Sequence, residues 1–223
     1  MNYKFLVLIT ACSIVACSSL PQVYPVGDST VPQPQQACSN LFPDGKWQFL
    51  HSIEATLPGG NKGFVMGLTV ISSSNRSARC VIMTLEGLVV FDAQYDRQID
   101  IKRAISPFDS KEFAAGLLKD IKLIFFEPTG NLIASGLLNN GSTVCRYRNS
   151  DRIVDIILHE DHSWEIRQYL YNFTLVRTVH GVFADGRHVA GRTAISKRIE
   201  LKAHVSQGYA LTMNLVEAIP LKN

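Results

Sequence analysis

The densest group of side chains able to do chemistry is His159-Glu160-Asp161-His162. Two histidines three residues apart would share one face of a helix, and with a carboxylate beside them could hold a metal or pass a proton. The flanking runs are strand-like, however, so the group reads as a surface turn, because ligand spacing is informative only on a matching scaffold. His180, Arg187, His188 and Arg192 form a second polar group, read as a solvated loop ahead of an anion-binding one. There is no Gly-x-Ser-x-Gly elbow, and Ser135-Gly136 has no such frame. Gly59-Gly60-Asn61-Lys62-Gly63 lacks the Gly-Lys-Ser/Thr ending of a phosphate loop and a helix behind it. No Cys-x-x-Cys or Cys/His spacing suggests zinc. The expectation is no catalytic residue, no metal and no cofactor. A hydrolase would need His159 or His180 to meet an acid and a nucleophile in one cleft.

The cysteine with the clearest role stands near the amino terminus. Lys4, an apolar run from Phe5 to Ile9 continuing through Ala11, and Ser13-Ile14-Val15-Ala16 lead to Cys17. The run is too short and too early to span a bilayer, which takes about twenty apolar residues, and reads as a removable export signal. Its end resembles the lipobox of bacterial lipoproteins, which implies lipidation of Cys17 after removal of residues 1–16. Several buried acyl methylenes, at about 0.8 kcal/mol each, make a multiply acylated cysteine a durable anchor. Ser18 in place of aspartate implies delivery to the outer membrane, with the domain on its periplasmic face. Cys12 leaves with the signal, so Cys38, Cys80 and Cys145 remain in an oxidising compartment. A Cys80–Cys145 bridge is possible because both lie in strand-like runs; buried free thiols are the alternative.

About 205 residues then remain, enough for one domain with a sizeable core. With 46% hydrophobic and 18% charged residues the chain should fold. Its formal charge of +3 comes from scattered cations without basic runs, which argues against nucleic acid. Residues 17–44 are rich in Pro, Gln and Ser and read as a tether from the lipidated cysteine. The domain proper is expected over 45–223.

Strand character runs through Trp47 to Leu57, Phe64 to Ile71, Cys80 to Leu85, Leu88 to Ala93 and Ile99 to Ile101. Asp109 and Glu112 can then form a capping box. Phe113, Leu117, Leu118, Ile121, Ile124 and Phe125 recur at helical spacing up to Pro128, with Asp120 off the stripe. A weaker second helix is expected over Asn131 to Leu138. Strands return at Thr143 to Arg148, Arg152 to His159, Trp164 to Thr178, and a closing hairpin of Ile199 to Val205 with Tyr209 to Ala218; Gly181 to Ser196 reads as a loop. The fold class is α+β: a curved antiparallel sheet, curling towards a barrel, with helix packed into its concave face.

Gly87-Leu88-x-x-Phe91-x-x-x-Tyr95-Asp96 after an alternating strand, followed by a helix bearing Leu117-Leu118-Lys119-Asp120-Ile121, is similar to the lipoprotein carrier and receptor proteins of the Lol pathway. It looks closer still to an uncharacterised family of bacterial lipoproteins assigned the same incomplete barrel. The resemblance implies an eleven-strand half-barrel closed by helices, with a hydrophobic cavity that receives acyl chains. Candidate lining residues are Phe64, Met66, Leu68, Val81, Met83 and Leu85, the helix stripe from Phe113 to Phe125, and Leu211, Met213 and Leu215. Methionines would help such a lining adapt to varied chains. Any one of these residues is more often simple core. The functional expectation is a membrane-anchored lipoprotein that binds acyl chains without covalent chemistry; the alternative is an assembly lipoprotein whose partner is another envelope protein.

Overall fold

A computed structural model describes residues 19–26, 34–183, 195–204 and 208–222. The export signal and Cys17 lie outside the described residues, as do Arg187, His188, Arg192 and Val205.

After helix α1 (Pro34–Ser39) come five strands: β1 (Lys46–Thr56), β2 (Lys62–Ser72), β3 (Ser77–Met83), β4 (Val89–Asp96) and β5 (Gln98–Ala104). Helix α2 (Lys111–Phe125) follows, then β6 (Asn131–Leu137), β7 (Thr143–Arg148), β8 (Arg152–Leu158), β9 (Ser163–Leu170), β10 (Leu175–Phe183), β11 (Ser196–Ala203) and β12 (Ala210–Leu221). All twelve strands form one sheet in the order β5-β4-β3-β2-β1-β12-β11-β10-β9-β8-β7-β6, one strand more than the resemblance implied. Every named pairing is antiparallel. The first and last strands of the order do not pair, so the sheet is open. No helix among the described residues is long and apolar enough to cross a membrane.

Three expected elements come out differently. Asn131–Leu137 is strand β6, because its backbone groups find partners on β7 and its short apolar run carried no helical stripe. Trp164 to Thr178 is two strands, broken at Tyr171–Thr174, where Phe173 takes a positive φ and Leu170 bonds back to Thr174. The cap of α2 is Ser110, whose hydroxyl accepts from the Phe113 amide at 3.0 Å, in place of Asp109. Both residues are cap formers, and sequence preference does not separate neighbours of that kind.

One hydrophobic cluster joins the sheet to α2. Ile71, Cys80, Ile82, Phe91 and Ala93 pack with Ala114, Leu118, Ile121 and Phe125 of the helix. Phe49 stacks on Phe125 at 5.1 Å and Phe113 meets Phe91 edge-on at 5.3 Å, so α2 reaches from β1 to β4 over one sheet face. Cys145, Ile156, Trp164, Ile166 and Leu201 from the other half belong to the same cluster. Trp164 can lie flat across β10 only because residue 181 is glycine: a Cβ there would sit 2.2 Å from its ring.

The reverse face of β7 and β8 is also buried, with Asp155 fully enclosed beside Val144 and Ile157. Arg146 donates to Asp155 at 2.7 and 2.8 Å and to the Pro21 carbonyl at 2.9 Å. Tyr24 pairs with Leu137 at the β6 edge. Residues 19–26, expected to stand off as tether, are therefore a strap along this side of the sheet, and Pro34–Ser39 is helical against β7.

Candidate functional site

The expected lining residues divide between the two faces of the sheet. Leu118, Ile121, Ile124 and Phe125 are buried, and Phe113 and Leu117 are half-buried against the core. Met213 is buried with them, and Leu211 and Leu215 pack at the margin. On β2 the core takes Val65 and Ile71, and on β3 Ala78, Cys80 and Ile82. Strand side chains alternate, so Phe64, Met66 and Leu68 point to the reverse face, where Met66 is opposite Met83 and Leu68 opposite Val81. Leu85 lies in the β3–β4 turn and is 65% exposed; Phe64 is 58% exposed. Those six do not line a space beneath α2. Both alternations of β2 are apolar, so hydrophobicity did not distinguish its faces.

Beneath α2 the described side chains leave little space at the one void that adjoins Phe125. The void between Phe49, His51, Ile124, Phe125 and Trp164 measures about 20 Å³, room for roughly one water and not an acyl chain. Burial lowers the His51 pKa to about 4.

A much larger space, about 810 Å³, opens beside the carboxyl-terminal half of α2 and is bordered by the β2–β3 turn, the β4–β5 turn and the β7–β8 turn. Its apolar floor is Leu123, Phe126 and Val154. Lys122 projects here because it follows the buried Ile121 by one residue, and its Nζ sits 3.0 Å from the centre of the Tyr95 ring. Arg76, held at a positive φ in the turn, donates to the Glu127 carbonyl at 2.9 Å and lies 5.3 Å above the Phe126 ring. The Glu127 carboxylate accepts from Ser39 at 2.8 Å and from Tyr147 at 3.2 Å; desolvation and that negative charge push the Tyr147 phenol up to about 12.

Deeper in the wall, Arg177 donates to Asp120 at 2.5 Å, and the Tyr209 hydroxyl donates to the other carboxylate oxygen. Asp120 is 2% exposed, which corrects its placement off the buried stripe. Burial raises its pKa against the pull of Arg177 and the Tyr209 hydrogen bond. A lone carboxylate flanking an apolar helical stripe was the available signal for this cluster; its partners, 57 and 89 residues away, were not readable.

The other chemistry-bearing groups are dispersed. His159 and His162 flank the β8–β9 turn, with His159 Nδ1 2.9 Å from Ser142 Oγ and His162 exposed at a positive φ. His180 lies half-buried on β10. Among the described residues no three His, Cys, Asp or Glu side chains converge as metal ligands. The disulfide joins Cys38 and Cys145 in place of the Cys80–Cys145 bridge considered from the sequence, and for Cys80 the alternative of a buried free thiol holds. Cys80 is a buried free thiol with its pKa pushed up to about 12 by burial. Cys38 stood in a stretch read as tether, so its return to β7 was hidden.

No family model and no curated protein matches the chain. Among solved structures it is similar to a LolA superfamily protein from Nitrosomonas europaea, with a TM-score of 0.56 and 13% identity over 86% of this chain and 95% of that one. The fold is LolA-like. A putative outer membrane lipoprotein-sorting protein domain from Vibrio parahaemolyticus is more distant, with a TM-score of 0.45 and 10% identity over 83% of this chain and 89% of that one. The LolA-like likeness concerns backbone arrangement, since 13% identity leaves few side chains in common.

Proposed function

We propose that this protein is a lipid-anchored envelope lipoprotein, held through Cys17 at the periplasmic face of the outer membrane. In this reading it is a half-barrel that takes the acyl portion of a lipid, lipoprotein or other amphipathic ligand by burial, without covalent chemistry. The observation that carries the reading is the 810 Å³ cleft at the end of α2, within the usual size range of small-molecule sites and floored by Leu123, Phe126 and Val154. The LolA-like fold supports it, since that resemblance implies a sheet and helix that receive acyl chains. In this reading the ligand lies in the cleft and not beneath α2, where the void is about 20 Å³.

The test is displacement of a fluorescent fatty-acyl probe from the purified protein, with Val154→Asp as the cleft variant. Binding by the native chain and its loss in a variant that circular dichroism shows to be folded support the reading; a native chain that retains no acyl probe overturns it. A Cys17→Ala form that still fractionates with the outer membrane would undo the anchor.

A second reading, an assembly lipoprotein with another envelope protein as partner, draws on the reverse face of β2 and β3. Phe64 on β2 and Leu85 and Leu88 in the β3–β4 turn are all exposed, Phe64 and Leu85 each two residues in sequence beyond the Met66–Met83 pair. Cross-linking from position 85 in intact cells distinguishes it.

A further inference from the structure

The cleft beside α2 is chemically lopsided. Six basic side chains line it (Arg76, Arg97, Lys119, Lys122, Arg152 and Arg177) against two acidic ones, Glu127 and Asp151. That excess is larger than the +3 of the entire chain, so positive charge is gathered here while the rest of the surface is close to balanced.

Local pairing does not remove it. Arg177 is committed to Asp120, and Arg152 faces Asp151 at 3.3 Å. The remaining acidic side chain, Glu127, accepts from the neutral hydroxyls of Ser39 and Tyr147 and keeps its charge. Lys122 rests on an aromatic ring, and Arg76 on a ring and a carbonyl; such partners orient a cation without cancelling its charge. Lys119 and Arg97 are exposed and have no salt bridge among the described residues. Four cations thus border one concave space against the single unneutralised carboxylate of Glu127, a net excess of positive charge. A walled cleft focuses such a field more strongly than a flat surface does.

We infer that the cleft binds the anionic phosphate head group of an amphiphile, with Lys119, Lys122, Arg76 and Arg97 as the recognising cations. This inference rests on the acyl-binding reading above and adds to it the charge of the ligand. Guanidinium and ammonium groups match phosphate oxygens through charge-assisted hydrogen bonds. The apolar floor of Leu123, Phe126 and Val154 lies beside them, so one molecule with a phosphate at one end and hydrocarbon at the other satisfies both kinds of surface.

The experiment titrates the full-length protein with dihexanoyl phosphatidylglycerol, with dihexanoyl phosphatidylcholine, and with inorganic phosphate alone, all below micelle formation. The expected result is at least tenfold tighter binding of the anionic lipid than of the zwitterionic one, falling to parity in the double variant Lys119→Glu, Arg97→Glu. Circular dichroism confirms that this variant is folded. Equal affinity for the two lipids, or an unchanged preference in the variant, overturns the head-group assignment while leaving acyl binding intact. Inorganic phosphate binding as tightly as the anionic lipid also overturns it, making the cleft a site for free phosphate. Binding of neither lipid overturns the acyl reading itself.

Discussion

His51 is the residue whose chemistry most directly sets a pH limit on the fold. It sits on β1 with its ring 6.1 Å from Phe49 and 6.3 Å from Phe125, and burial takes its pKa down from 6.5 to about 4. A lowered histidine pKa means the unfolded chain binds the extra proton first. The stability this group contributes is therefore complete above pH 6.5 and lost as pH falls towards 4, by roughly 3 kcal/mol in all. Urea unfolding at pH 7 and pH 4.5 should show a smaller acid loss in His51→Leu than in the native chain. Asp120 runs the other way, because its pKa is raised: its contribution is complete below the ordinary carboxylate value and declines as pH rises through the folded one. Asp155 makes a different case, fully enclosed and holding both bonds of Arg146. Asp155→Ala leaves a buried guanidinium without its counter-ion and should cost about 3 to 5 kcal/mol in urea unfolding. Replacing both partners with apolar residues should cost much less.

At the level of elements, α1 depends on a covalent tie. Six residues are too few for a stable isolated helix. The Cys38–Cys145 bond closes a sequence separation of 107 residues. A loop of that length corresponds to about 5 kcal/mol of stabilisation in the chain-entropy view. Cys38→Ala should lower the free energy of urea unfolding by that order, and adding reductant to the variant should cause no further loss. The strands β2 and β3 show how an element can be recognised while its orientation is not. Their presence was readable from apolar runs between turns, although β3 runs from Ser77 to Met83 where Cys80 to Leu85 was expected. Which of Phe64-Met66-Leu68 or Val65-Gly67-Thr69-Ile71 faced the helix was not, since a shift of one residue exchanges the faces and both sets are largely apolar.

At the level of the whole molecule, an open sheet has two edges to protect. Strand β5 carries the charged residues Asp100, Lys102 and Arg103, a common defence against edge pairing. The β6 edge is covered by the strap: Tyr24 and Leu137 exchange two backbone hydrogen bonds of 2.9 Å. Gly136 permits this approach, because a Cβ there would fall 2.0 Å from the Tyr24 carbonyl oxygen. A chain shortened to begin at residue 27 should exchange the Leu137 amide roughly tenfold faster, matching the loss of about one net hydrogen bond. Unchanged protection would mean the strap does not hold that edge.

The same division of scales separates what was legible in the sequence from what was not. Local periodicity marked α2 from Phe113 to Phe125 and most strands of the antiparallel sheet, because side-chain spacing along one element needs no knowledge of the others. Short-range signals misled where neighbours compete for one role, as with Asp109 and Ser110, or where a run lacked a clear period, as in Asn131–Leu137. Long-range pairing decided the rest. It brought Cys38 to Cys145, Asp120 to Arg177 and Tyr209, and gathered cations from α2 and several turns at one cleft. Scattered along the chain, those cations looked like ordinary surface charge; only the folding of distant segments against each other brought them to the border of one cleft.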